Sequence, residues 1–128
     1  MTERVALDTS ALMMPVELNV RLFDELDRLL EAVEPVTPQP VIEELRRLSE
    51  RGGTEGTAAS VGLDLANERC FVVDTEAAGA DDALVELARE GQVDYVVTND
   101  RPLRDRVLAE NRSVIALRGR NKLAITRP

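Results

Sequence analysis

The sequence contains no histidine, no tryptophan, a single cysteine and a single lysine. Without histidine there is no Ser-His-Asp triad, no Cys-His pair, no histidine general base and no His-ligated zinc. Cys70 alone forms neither an intrachain disulfide nor a thiolate metal cluster. Aromatic residues are confined to Phe23, Phe71 and Tyr95, all in core-like contexts, so base stacking is not expected as a main recognition device. No apolar run approaches the ~20 residues of a membrane span. Met1-Thr2-Glu3-Arg4 leads straight into a strand-like run, with no sign of a signal peptide. These features lead to the expectation of a soluble, cytoplasmic chain with no membrane partner. The chemistry left to it must use carboxylates, hydroxyls, arginines or a borrowed metal.

The 128 residues suit one domain spanning 1–128, and a 44% apolar composition fits a globular core. The net charge of −8 argues, taken whole, against a generic nucleic-acid coat. Its distribution is uneven: residues 1–100 carry a net −14, whereas residues 101–128 carry +6. Short apolar runs alternate with helical patterns along the chain. Val5-Ala6-Leu7, Pro35-Val36-Thr37, Cys70-Phe71-Val72-Val73, Tyr95-Val96-Val97 and Val114-Ile115-Ala116-Leu117 read as strands, the third of them buried. Phe23, Leu26, Leu30 and Val33 recur at helical spacing between residues 20 and 33. Thr37 stands where an N-cap belongs, with Pro38 in the first turn of a helix whose inner face is Val41, Leu45 and Leu48. Further helices are expected near 55–68 (with Val61 and Leu65 on the apolar face), 80–90 and 102–110. Continuous apolar strands separated by helices point to an α/β fold with a parallel sheet covered on both faces.

In such a sheet, ligands bind beyond the carboxyl ends of the strands. Asp8 follows the first strand and Asp100 the fourth, Asp81 and Asp82 open the helix after the third, and Glu43 and Glu44 lie early in the helix after the second. One aspartate at a strand end is ordinarily a cap, and Asp74 and Asp94 read that way. Four elements delivering acids to one rim are a different matter. At 100° per residue Val41, Leu45 and Leu48 cluster within ~60°, with Glu44 at the margin of that stripe and Glu43 well away from it. By the same count Asp81 lies near the buried face of its helix and Asp82 points outward. Crowded carboxylates repel unless cations intervene, and Mg²⁺ or Mn²⁺ is the usual remedy. Such ions activate water and neutralise charge on a phosphate, so an acidic, histidine-free site points to phosphodiester hydrolysis.

The order Leu7-Asp8-Thr9-Ser10, Val41-Ile42-Glu43-Glu44-Leu45, Ala80-Asp81-Asp82-Ala83 and Val97-Thr98-Asn99-Asp100 resembles the PIN-domain ribonuclease family over nearly the whole chain. The segments Ala80–Ala83, Thr98–Arg104 and Ala116-Leu117-Arg118-Gly119 are similar to archaeal members of the subgroup that processes small-subunit rRNA, and the acidic set also resembles that of VapC toxins. The resemblance implies a three-layer α/β/α fold around a twisted parallel sheet and Mg²⁺- or Mn²⁺-dependent endoribonuclease activity. It assigns metal binding and catalysis to Asp8, Glu44, Asp81 and Asp100. A mechanistic hypothesis places Asp8, Asp81 and Asp100 on one ion, with Glu44 holding or orienting a second, weaker one; one-metal and two-metal schemes both stay open. Thr9, Ser10 and Thr98 are implied as supporting hydroxyls, and Asp82 and Asn99 as accessory neighbours. Asp105 is a departure, because relatives often carry a basic residue there; it is either an extra acid near the site or a surface substitution.

Arg101, Arg104 and Arg106 flank Asp100, and Arg118, Arg120 and Lys122 follow the final strand. Each alone fits a solvated face, whereas the cluster fits a track for an RNA backbone. Three functions remain open: an RNA-processing endonuclease acting on an rRNA precursor or tRNA, a VapC-like toxin restrained by an antitoxin protein, and a non-catalytic RNA-binding module in ribosome assembly. The resemblance also carries homodimer formation. A receiver domain needs an acidic pair after the first strand, and a haloacid-dehalogenase-type phosphatase needs an aspartate where Ser10 stands.

Overall fold

The computed structural model describes residues 2–128. Its elements are β1 (Glu3–Leu7), α1 (Thr9–Glu17), α2 (Leu22–Leu29), β2 (Val33–Pro38), α3 (Gln39–Ser49), α4 (Gly53–Arg69), β3 (Phe71–Val73), α5 (Ala80–Arg89), β4 (Tyr95–Val97), α6 (Arg101–Ala109), β5 (Ser113–Arg118) and β6 (Lys122–Thr126). The six strands form one sheet in the order β3-β2-β1-β4-β5-β6, parallel except for the antiparallel β5–β6 pair. Helices α1 to α4 pack on one another, and α5 packs on α6. With right-handed crossovers, the reversal of strand order after β3 places these two groups on opposite faces. The architecture is the expected α/β fold with a mostly parallel sheet flanked by helices. Among the described residues, no helix is long and apolar enough to cross a membrane.

Central strands are buried on both faces and therefore read as unbroken apolar runs. Val5, Ala6 and Leu7 of β1 and Val96 and Val97 of β4 have no exposed surface. Val97 lies beside Ile115, three residues before the end of β5, and beside Leu7, so β1 and β4 end together. Chain segments leaving these strands consequently emerge side by side.

Several sequence expectations are corrected. Residues 9–17, to which the sequence pattern assigns no element, form a helix. Its Ala11-Leu12-Met13-Met14 run is wholly buried, so it shows no amphipathic period, and Pro15 lies within it. The helix read over 20–33 is shorter, and Val33 opens β2 instead. Thr37 does not cap α3: it remains in β2 and donates its hydroxyl to the Leu7 carbonyl at 2.9 Å, leaving Pro38 as the N-cap. The buried face of α4 consists of Gly56, Ala58, Ala59, Gly62 and Ala66, while Val61 and Leu65 are only partly covered. Strand β3 is an exposed edge, with Phe71 64% accessible, so this aromatic is not in the core. Strand β6 went unread: its apolar run is only Leu123-Ala124-Ile125, flanked by Lys122 and Thr126, and just Leu123 is fully buried.

Two features carry stability that composition does not reveal. A Cβ at Gly62 would lie 2.7 Å from the Leu12 carbonyl oxygen, so glycine permits the close approach of α4 to α1. Glu25 of α2 accepts from Arg28 at 2.8 Å and 3.1 Å and from the buried Leu123 amide at 2.9 Å. Hydrogen bonds from Arg28, then the Leu123 amide, lower its pKa to about 2 from 4.5. This carboxylate thereby fastens β6 to α2.

Gly62→Ala should destabilise by about 1–3 kcal/mol through overpacking, outweighing the ~1 kcal/mol that alanine gains in helix propensity; thermal unfolding decides the sign. Glu25→Ala leaves the Leu123 amide without its acceptor and should cost about 1–3 kcal/mol at neutral pH. Because the folded pKa of Glu25 is depressed, its contribution is present above pH 4.5 and is lost as pH falls towards 2. The stability gap between wild type and variant should therefore narrow across that window in a pH series of melts.

Candidate active site

Asp8 terminates β1 and caps α1, accepting from the Ala11 amide at 2.7 Å and the Ser10 hydroxyl at 2.8 Å. Its other oxygen accepts from Thr98, which follows β4. The Thr98 hydroxyl in turn accepts from the Asp100 amide at 3.0 Å, and Asp100 caps α6 by accepting from Leu103 N at 3.1 Å. The ends of two adjacent central strands and the starts of two helices are thus joined through one hydroxyl.

Asp8, Glu44, Asp81 and Asp100 all line one cavity of about 360 Å³, together with Thr9, Ser10, Met13, Glu17, Leu48 and Glu55. No basic side chain lines it. Asp8 is 4% exposed, and burial pushes its pKa up to about 6 even though three donors favour its charged form; the charge of Asp81 adds to the rise. Burial, then the charges of Asp100 and Glu44, raises Asp81. The acids therefore feel one another across the cavity.

The remaining expected residues occupy distinct positions. Asp82 makes an ion pair with Arg106 at 2.8 Å and does not line the cavity. Glu43 and Asp105 are exposed and also stand outside its lining. Asn99 lies in the β4–α6 turn, where its amide meets Ser10 Oγ at 3.2 Å and its side-chain oxygen accepts from Leu117 N at 2.9 Å. Asp94 ties β4 to β1 by accepting from Arg4 N at 2.9 Å. Glu86, which sequence reasoning missed, accepts from the backbone amides of Glu76 and Ala77, each at 3.0 Å, and so fixes the loop leading to α5 and Asp81.

Glu17 and Glu55 were likewise missed as cavity residues. Once α1 is known, the signal is visible: Ser10, Met13 and Glu17 recur at helical spacing on one face. Glu55 lies in the first turn of α4, which approaches that same region through its packing on α1.

Hard oxygen donors of this kind suit Mg²⁺ or Mn²⁺. Thr9 lines the cavity, and its buried hydroxyl has no hydrogen-bond partner among the described residues. No group of three acids among the described residues is arranged to hold an ion by itself.

The chain is 30% identical over 118 residues to ribonuclease VapC4 of Methanocaldococcus jannaschii, covering 90% of each protein. Its fold matches the structure of the PIN domain endonuclease Utp24 with a TM-score of 0.79 at 23% identity, covering 98% of this chain and 92% of the other. A domain of a functionally unknown protein from Methanocaldococcus jannaschii matches with a TM-score of 0.64 at 17% identity, over 91% of this chain and 92% of that domain. The sequence also matches the family described as PIN like domain over residues 5–120, a stretch that contains Asp8, Glu44, Asp81 and Asp100, and the chain belongs to that family.

Proposed function

We propose that this protein is a Mg²⁺- or Mn²⁺-dependent endoribonuclease that hydrolyses phosphodiester bonds in structured RNA, acting in rRNA processing. The observation that carries this reading is the convergence of Asp8, Glu44, Asp81 and Asp100, from four separate chain segments, on one cavity with no basic lining residue. Family membership and the ribonuclease name of the VapC4 relative support it. The rRNA assignment rests on the sequence resemblance at Ala80–Ala83, Thr98–Arg104 and Ala116–Gly119.

Asp8, Asp81 and Asp100, with Glu44 opposite, are the residues that would hold the cation. When bound, the ion supplies a water of lowered pKa and offsets negative charge developing on the phosphate. The protein's own part is positioning. Thr98, Ser10 and the Ala11 amide fix the Asp8 carboxylate, and the Asp100 cap fixes its side chain at the start of α6. Met13 and Leu48 give the cavity an apolar wall that limits water on that side.

The 30% identity to VapC4 favours a second reading, a toxin ribonuclease held in check by an antitoxin protein. A co-transcribed small DNA-binding neighbour and growth arrest on expression support that role, whereas processing of an rRNA precursor without arrest supports the first. In either role, purified protein incubated with precursor rRNA or total tRNA should cut in Mn²⁺ and stop on chelation.

Asp8→Asn, with its fold verified by circular dichroism, should abolish metal-dependent cleavage; undiminished cutting overturns the assignment. Thr98→Val removes a hydroxyl that orients Asp8 and should reduce cleavage about 10–100-fold, with part of the loss recovered at higher Mn²⁺ concentration. Cleavage-rate measurements across a metal titration provide the readout.

A further inference from the structure

The C-terminal basic residues are not equivalent. Arg106 is engaged by Asp82 at 2.8 Å, and Lys122 lies 3.7 Å from Glu25. Arg104 and Arg118 make no ion pair among the described residues. Both line one hollow of about 260 Å³ between α6 and the β5–β6 hairpin. The cross-strand pair Ala116 and Ala124, both small, lines it together with Leu117 and Thr126. Arg104 lines this hollow, and its Nε is buried with no hydrogen-bond partner among the described residues. A buried, charged donor left unpaired is costly, and an anion that Arg104 turns to meet would remove that cost.

The hollow lies on the elements next to the acidic cavity: β4, which leads through the turn to Asp100, pairs in parallel with β5, which ends at Arg118. Asn99 bridges the two segments, meeting Ser10 beside Asp8 on one side and the Leu117 amide next to Arg118 on the other. The opposite flank of the cavity carries Glu17 and Glu55, which repel a phosphate chain.

We infer that Arg104 and Arg118 together grip one backbone phosphate of the RNA, close along the strand to the phosphate that is cut, so that the substrate runs over α6 and β5 and away from α1 and α4. The inference rests on the nuclease reading for its ligand. It adds a phosphate subsite that orients the strand, built from two arginines rather than from the basic tail as a whole. Guanidinium groups suit this task because their planar donors match phosphate geometry.

The test measures binding of a fluorescein-labelled 12-nucleotide oligouridylate without divalent cation, so that it is independent of cleavage. The Arg104→Gln/Arg118→Gln variant should bind about tenfold more weakly, and its log K against log salt slope should fall by ~0.7, the value for one single-strand phosphate contact. Arg46→Gln/Arg89→Gln removes equal charge from exposed positions on α3 and α5 that do not line the hollow, and should change affinity less than about twofold with the slope unaltered. Because one phosphate is shared, the single-variant losses should not add in a double-mutant cycle. Equal losses in the two double variants, additive single losses, no binding by wild type, or displacement by inorganic phosphate as strong as by unlabelled RNA would each overturn the inference. If Arg104→Gln unfolds, the exposed Arg118→Glu variant carries the same comparison. Wild type that binds through this pair yet never cuts in Mn²⁺ defeats the nuclease reading alone; wild type that cuts while the two double variants match defeats the subsite alone.

Discussion

The organisation of this molecule depends on the buried carboxylate of Asp8. It ends β1, caps α1 through the Ala11 amide, and receives the Thr98 hydroxyl from the end of β4. One side chain therefore sets where the central strand stops, where the first helix begins and how the adjacent strand terminates. The same hydroxyl passes the constraint to Asp100, whose amide it accepts. A cap and a ligand-binding role are not alternatives here. Capping uses Oδ1, and the Thr98 bond orients the remaining oxygen at the edge of the cavity.

This arrangement has an electrostatic cost. Three donors ought to hold Asp8 below its ordinary pKa, yet burial outweighs them and leaves it near 6. Glu25 shows the opposite balance: desolvation weighs less there, a guanidinium joins the backbone donor, and its pKa falls to about 2. Lighter desolvation and a cationic partner together separate the two. Glu25 has Arg28, whereas the cavity around Asp8 has none among its lining residues. Within the fold, then, the buried acid with a protein cation fastens β6, and the buried acid without one faces an open, acidic cavity. That contrast is the physical basis for reading the first as structural and the second as a site for an external cation.

The sequence was most legible where burial is complete. Val5–Leu7, Tyr95–Val97 and Val114–Leu117 lie in parallel or central strands, and unbroken apolar runs are their signature. Legibility failed where a different constraint dominates. Helix α1 buries so much of its middle that no period survives, and α4 packs through glycine and alanine, so its larger residues indicated the wrong face. Phe71 resembles core by type but belongs to an edge strand, a placement set by topology rather than composition. Helical spacing distinguished Glu44 from Glu43 and Asp81 from Asp82 as cavity-lining residues, because angular position is a local property. Glu17 and Glu55 could not be seen until α1 and α4 were known to pack together, which is not local.

Topology also explains why net charge is a poor guide to the partners of this chain. Helices α1, α3 and α4 bring Glu17, Glu44 and Glu55 to one side of the sheet edge, while α6 and β5 bring Arg104 and Arg118 to the other. The total of −8 adds these groups together, yet a polyanion passing over the edge meets them in sequence. A cation held by Asp8, Asp81 and Asp100 would reverse the sign of the potential between them, because a bound divalent ion is the largest local charge in such a site. The acidic cavity would then extend the basic side rather than oppose it, and Glu17 and Glu55 would mark the boundary at which the strand is turned away.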